Sequence, residues 1–262
     1  MEPTLSFVES LAKEAGEILS AGYGKRHQIE HKGAIDLVTE IDHQSEAFLL
    51  GEIRRHYPGH QVVAEESGAL PGKDCCIWYV DPLDGTVNYA HGVPVFSVSL
   101  AYQEHGAVRL GAVYDPLRDE CFSAELGRGA LLNGVPIHPS ETRELGKSLL
   151  VTGFPYDIQT SLENNLEYYA HFTLHTQGVR RLGSAALDLC YVAAGRLEGY
   201  WETKLNAWDV AAGGLIAEQA GAVVTNLQGD ANYLTPPYAV LAANRYIHPL
   251  MVDVFQGSRN PR

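Results

Sequence analysis

Near its start the chain carries apolar residues at helical spacing. Leu5, Val8, Leu11, Ala12, Ala15, Ile18 and Leu19 form one stripe that Gly22 and Gly24 terminate, which predicts a helix over 4–22. A second helix is predicted over about 36–57, with Leu37, Ile41, Phe48, Leu49 and Ile53 on its apolar face and Pro58-Gly59 as its stop. Residues 61–64 read as a short strand that runs into Glu65-Glu66. From 76 to about 138 the texture changes to strands: CIWYV, PVFSVSLAYQ, AVRLGAVYD, DECFSAEL and GALLNGVPI. His105-Gly106, Asp115-Pro116 and Asn133-Gly134 separate them, the pattern of an antiparallel meander. After 146 helices and strands mix. SLLVTG, LEGYWE and AVVTN read as strands, and a segment near 161–174, GSAALDLCYVAAG and AWDVAAGGLIAEQAG as helices.

This order predicts a mixed α/β (α+β) fold in two halves. Residues 1–145 would form a helix pair on an antiparallel sheet, and 146–262 an α/β portion with a mixed sheet. No Pro/Ser-rich linker, repeat or low-complexity tract separates them, so the halves are expected to fuse into one compact catalytic unit.

Composition narrows the function. A chain of 262 residues that is 45% hydrophobic can bury a large core. With 32 acids against 19 Lys plus Arg the formal charge is -13, and no dense basic run appears. A nucleic-acid surface and an anionic-membrane surface both need such a run, so neither is expected. The acidic, amphipathic N-terminus does not read as a signal peptide, and no apolar run approaches the roughly 20 residues that span a bilayer. Cys75, Cys76, Cys121 and Cys190 show no CxxC spacing and read as reduced thiols of a cytoplasmic protein.

The candidate chemistry lies in acids at the ends of predicted elements: Asp42, Glu65-Glu66, Asp81 with Asp84, and Asp209. In DPLDGT each acid alone has a conformational explanation, because Asp, Pro and Gly all favour turns. The setting argues for more. The apolar run 77–80 leads in and 95–101 leads out, so the acids end a buried strand. Pro82 keeps Asp81 out of the helical region, the Leu83 carbonyl is available as an oxygen ligand, and Gly85 permits close backbone approach. A short helix beginning after Gly85 would present free N–H groups to an anion. Carboxylates suit Mg²⁺ or Mn²⁺ rather than zinc. Cations about 4 Å apart beside a phosphate seat suggest phosphoryl chemistry.

Five segments in order carry a specific resemblance: DLVTEIDHQSE at 36–46, AEES at 64–67, DPLDGTVN at 81–88, GSAALDLCYVAAGRLEGYWE at 183–202 and WDVAAGGLIAEQAGA at 208–222. Over about residues 5–255 the chain resembles the inositol monophosphatase family, within the lithium-sensitive, magnesium-dependent phosphatases. The resemblance implies a layered α-β-α-β-α fold, commonly homodimeric. It implies that Glu65, Asp81 and the Leu83 carbonyl hold a first Mg²⁺ and that Asp81, Asp84 and Asp209 hold a second. A third, weaker ion would share Glu65, with Mn²⁺ as a substitute and Li⁺ as an inhibitor. Thr86, linked to Asp42, would deprotonate the attacking water, and the Gly85 and Thr86 amides would hold phosphate. Gly183, Ser184, Ala185 and Glu202 would line the alcohol side, with Asp84 and Asp209 also touching substrate.

The expected activity is hydrolysis of inositol 1-phosphate, a small-molecule phosphate monoester. Histidinol phosphate, fructose 1,6-bisphosphate and 3'-phosphoadenosine 5'-phosphate remain alternatives, as does a metal-binding regulatory protein. Other residues have plainer readings. Glu66 reads as a structural neighbour of Glu65, Asp36 as a cap, Trp208 as core, Tyr168-Tyr169 and Tyr200-Trp201 as packing. His171 and His175 stand at i, i+4 but lack an HExxH context, which favours a surface or core role.

Overall fold

A computed structural model describes residues 2–31, 37–162 and 164–257. The first half contains α1 (Leu5–Gly22), β1 (Ile29–His31), β2 (Leu37–Thr39), α2 (Glu40–His56), β3 (His60–Ala64), β4 (Gly68–Leu70), β5 (Lys73–Asp84) and α3 (Thr86–Ala90). It continues through β6 (Ser97–Glu104), β7 (Ala107–Asp115), β8 (Glu120–Glu125), β9 (Ala130–Leu132) and β10 (Val135–Pro136). The second half contains β11 (Leu149–Thr152), α4 (Leu166–His175), β12 (Gly178–Arg180), α5 (Ala185–Ala193), β13 (Gly199–Glu202), α6 (Ala207–Ala220), β14 (Val223–Thr225), β15 (Val240–Ala243) and α7 (Ile247–Phe255).

The stripe on α1 forms the expected helix, capped by the Thr4 side chain. The second helix starts later than its apolar pattern suggests. Leu37–Thr39 pairs with Ile29–His31, and Thr39 then caps α2 in a reciprocal box with Asp42. The predicted cap Asp36 lies outside the described residues. The helix expected near 161–174 likewise begins only at Leu166.

Strands β5 to β10 form the expected antiparallel meander, but β3 adds to β5 in parallel. The eight-stranded sheet is therefore mixed rather than antiparallel throughout. The second sheet, ordered β12-β11-β13-β15-β14, is mixed as expected.

Three apolar clusters define the layers. Val8, Leu11 and Leu19 of α1 and Leu49 and Ile53 of α2 pack on Val98, Leu100 and Tyr102 of β6. Neighbouring Ala101 points the other way, with Val113 and Phe122, against Leu187, Leu189, Val210 and Leu215 of α5 and α6 and Tyr200 and Val240 of the second sheet. Beyond that sheet, Trp201 and Leu241 meet Phe172 of α4 and Ile247 and Met251 of α7. This gives the layering α-β-α-β-α, with α5 and α6 sandwiched between sheets. Burial on all sides explains why α6 reads AAGG at its centre. A Cβ on Gly213 would stand 2.8 Å from Leu189, and one on Gly214 2.6 Å from the Tyr233 ring.

Phe172 is the only buried residue of α4 and packs 4.7 Å from the Trp201 ring. Phe172→Ala should therefore cost about 3–5 kcal/mol. The check is a urea titration, in which the midpoint falls while the slope stays constant.

Candidate active site

The end of β5 is built by a bulge. Asp81 pairs with Ser99 and Asp84 with Ser97, so three steps along β5 match two along β6. Residues three apart on a regular strand face opposite sides; the bulge puts both acids on one face. It also accommodates Pro82, which has no ladder N–H to offer. The acids thus belong to the irregular end of the strand itself rather than to a turn beyond it. Gly85 follows at φ +100°, where a Cβ would press on the Val95 carbonyl at 3.0 Å, and α3 begins at Thr86.

Two helix starts converge on this face. Ser184 caps α5, its hydroxyl donates to Asp84 at 2.5 Å, and the Ala185 and Ala186 amides donate to the same carboxylate at 3.2 and 2.9 Å. Asp209 sits in the first turn of α6 and accepts the Asn206 amide at 2.6 Å. Glu65, the residue after β3, hydrogen-bonds the Asp81 carboxyl. Glu65, Asp84, Gly85, Thr86, Gly183, Ser184, Ala185, Glu202 and Asp209 line one cavity of about 310 Å³. Asp81 and Leu83 are buried beneath it.

The electrostatics are those of crowded acids. Burial, then Glu65, Asp84 and Asp209, push Asp81 well above the usual carboxylate range. Burial lifts Asp84 to about 6 against its four hydrogen bonds, and lifts Asp209 well above its ordinary value with help from Glu65. Hard, oxygen-seeking divalent cations fit this donor set, since each carboxylate retains lone pairs beyond those its N–H partners occupy. Among the described residues, no three acid, His or Cys side chains are gathered into a formed metal site. Asp84 is directed to the α5 amides and Asp209 to the α6 cap.

Asp42 is fully buried, not a solvated position on an acidic helix. The Thr39 amide and hydroxyl donate to one oxygen at 2.8 and 2.6 Å, and the Thr86 hydroxyl donates to the other at 2.8 Å. The Thr86 hydroxyl also lies 3.0 Å from the Leu83 carbonyl. Ser184 and Ala185, expected on the alcohol side, line the cavity but spend these hydrogens on Asp84.

Glu202 closes the far wall, holding the Tyr200 hydroxyl at 2.7 Å. Gly153 is required beside it, because a Cβ there would collide with the Glu202 carboxyl oxygens. Burial raises Glu202 to about 7. An acid whose folded pKa lies above its unfolded value stabilises the fold fully below the unfolded pKa, and this contribution is lost as pH rises through the folded one. The metal-free protein should therefore lose on the order of 3 kcal/mol between about pH 4.5 and 7 through Glu202. Thermal midpoints in EDTA across this window, parent against Glu202→Gln, test it; an equally steep fall in the variant would remove Glu202 as the cause.

Some residues escaped the sequence pattern. Glu46 is buried in α2, accepts the Glu66 amide at 2.9 Å and binds the Ser67 hydroxyl, fixing the turn after Glu65. Glu66 itself does not line the cavity. Trp208, expected in the core, is half-buried at the cavity wall. Arg181 and Asp188 line it as well; a single acid in the apolar helix AALDLCYVA was the available signal. His171 and His175 stack at 4.3 Å on α4, outside this cavity. Cys75 and Cys76 are free thiols with sulfurs 3.1 Å apart. No helix among the described residues is long and apolar enough to cross a membrane.

Known proteins resemble this chain over its whole length in sequence and in fold. The profile of the inositol monophosphatase family matches residues 1–259. An inositol-1-monophosphatase of Synechocystis is 47% identical over 92% of this chain and 84% of its own length. A Pasteurella multocida protein named Nus factor SuhB is 43% identical over 96% of this chain and 95% of its own. The solved inositol monophosphatase of Anabaena superposes with a TM-score of 0.87 at 43% identity, covering 96% of this chain and 94% of that one. A carboxylate-lined cavity at the junction of two helix starts and a bulged strand, with whole-length matches in sequence and fold, makes this chain a member of the inositol monophosphatase family of phosphatases.

Proposed function

We propose that the protein is a Mg²⁺-dependent phosphomonoesterase that releases phosphate from inositol monophosphates. The observation that carries this reading is the convergence of Glu65, Asp84 and Asp209 on one cavity, above buried Asp81, with the first residues of α3. Glu65, Asp81, the Leu83 carbonyl, Asp84 and Asp209 would hold the metal ions. When bound, these supply Lewis acidity and neutralise the charge that would otherwise repel the phosphate. Thr86 orients the attacking water and takes its proton at Oγ while its own hydrogen passes to Asp42, already aligned at 2.8 Å. Gly85 and Thr86 seat the phosphoryl oxygens through their amides. Glu202 and Asp209 receive hydroxyls of the alcohol, and Gly183, Ser184 and Ala185 shape that side.

The polar wall suits a polyol. A second phosphate would need cations, and Arg181 and Lys204 are the cationic side chains of this cavity, with Lys204 already paired to Asp157. Purified protein with Mg²⁺ should release phosphate fastest from inositol 1-phosphate, ahead of histidinol phosphate, fructose 1,6-bisphosphate and 3'-phosphoadenosine 5'-phosphate, and Li⁺ should inhibit it. A strong preference for any of the other three overturns the substrate assignment.

Relatives named Nus factor favour a second reading, in which the same chain also serves as a Nus factor. A homodimer is proposed from the family resemblance. Supporting it, Tyr156, Leu162, Leu166 and Leu174 expose apolar side chains within one stretch before and along α4. Sedimentation of the purified protein decides it.

A further inference from the structure

Around the cavity almost every acid has a partner. Asp81 is bonded by the Leu83 amide, Asp84 by Ser184 and two α5 amides, Asp209 by Asn206 and Glu202 by Tyr200. Asp188 differs. It stands on the first turn of α5, 1% exposed, and its Oδ1 is buried without a hydrogen-bond partner among the described residues. Its side chain nonetheless belongs to the cavity wall, with Glu202 and Arg181.

A buried carboxyl with an unpartnered oxygen destabilises a fold relative to an apolar side chain in the same place. Nothing in the packing of α5 calls for it, because its neighbours Ala186, Leu187, Leu189 and Cys190 are buried in the apolar cluster between the sheets. The group is therefore accounted for by what enters the cavity. We propose that Asp188 is a substrate-contacting residue whose carboxyl accepts a hydroxyl of the alcohol beside the one taken by Glu202. Two neighbouring hydroxyls are then read as a pair. Hydroxyls rather than an ammonium suit the pair, because Arg181 lines the same cavity and would repel a second cation there. This rests on the polyol-phosphate reading above and extends it to specificity.

The test compares the parent with Asp188→Leu and Asp188→Asn on inositol 1-phosphate, glycerol 2-phosphate and p-nitrophenyl phosphate. In Asp188→Leu the ratio of kcat/KM for inositol 1-phosphate to that for p-nitrophenyl phosphate should fall about tenfold, mainly through KM, the loss of one well-formed hydrogen bond. The thermal midpoint of the metal-free variant should stay level or rise, a result a purely structural residue would not give. Should the Leu variant fail to fold, Asp188→Asn should lower the same ratio about threefold. Parallel losses on both esters, or an unchanged ratio, would overturn the proposal. If the parent shows no preference for inositol phosphate while the variant still loses glycerol 2-phosphate relative to p-nitrophenyl phosphate, the inositol assignment falls and Asp188 stands.

Discussion

Asp81→Asn should lower kcat by about 10³-fold or more while leaving the fold intact. Asp81 lies among the other acids, bonded to Glu65 and raised by burial and then by Glu65, Asp84 and Asp209, so it is the carboxylate that any shared cation would neutralise most. Metal ions contribute several kcal/mol of charge stabilisation in the transition state, and each 1.36 kcal/mol is tenfold in rate. Asparagine keeps the shape and the acceptor for the Leu83 amide at 3.0 Å but removes the charge. Without metal, the thermal midpoint should hold or rise, because one member of a repelling cluster is gone. Near-parental turnover, either in this variant or in EDTA-treated parent, would remove the metal mechanism.

Thr86→Ala should depress kcat by about 10²- to 10⁴-fold with little change in KM, the range for loss of a positioned acid–base group. The Thr86 hydroxyl has its acceptor in place, since Asp42 is held at its other oxygen by both donors of Thr39. Burial raises the Asp42 pKa, which makes it a better proton acceptor than a surface aspartate. Asp42→Asn should produce a similar loss, and the double variant should be little worse than either alone, as for residues acting as one unit. Additive losses would separate the two residues. A change confined to KM would make Thr86 a phosphate contact only.

Where the information was local, residues alone were enough. The stripe on α1 and the punctuation by Gly22 and Gly24 predict a helix because amphipathic periodicity is a property of neighbouring residues. The turn chemistry of DPLDGT and the position of Asp209 beside a helix start are local as well, and they place Asp81, Asp84 and Asp209 at ends of elements. Capping boxes lie between these kinds: Thr39 and Asp42 stand three apart, yet the apolar pattern of 36–57 masked the helix start at Glu40 and the strand before it.

Pairing over long separations was beyond such signals. Whether β3 joins β5 in parallel, and on which side, depends on the covering helices rather than on the residues of either strand. Burial of Asp42, Glu46 and Asp188 has the same origin, since a helix acid is exposed or enclosed according to what packs over it. Composition, element order and the acids at element ends were determined by the sequence itself. Tertiary structure alone decided that a bulge turns Asp81 and Asp84 to one face, that α5 and α6 aim their first turns at that face, and that Asp188 lies buried in the cavity wall with its Oδ1 unpartnered among the described residues. The physical reason is that hydrogen-bond satisfaction and desolvation are set by neighbours a hundred residues or more away, as Ser184 and Ala186 are from Asp84.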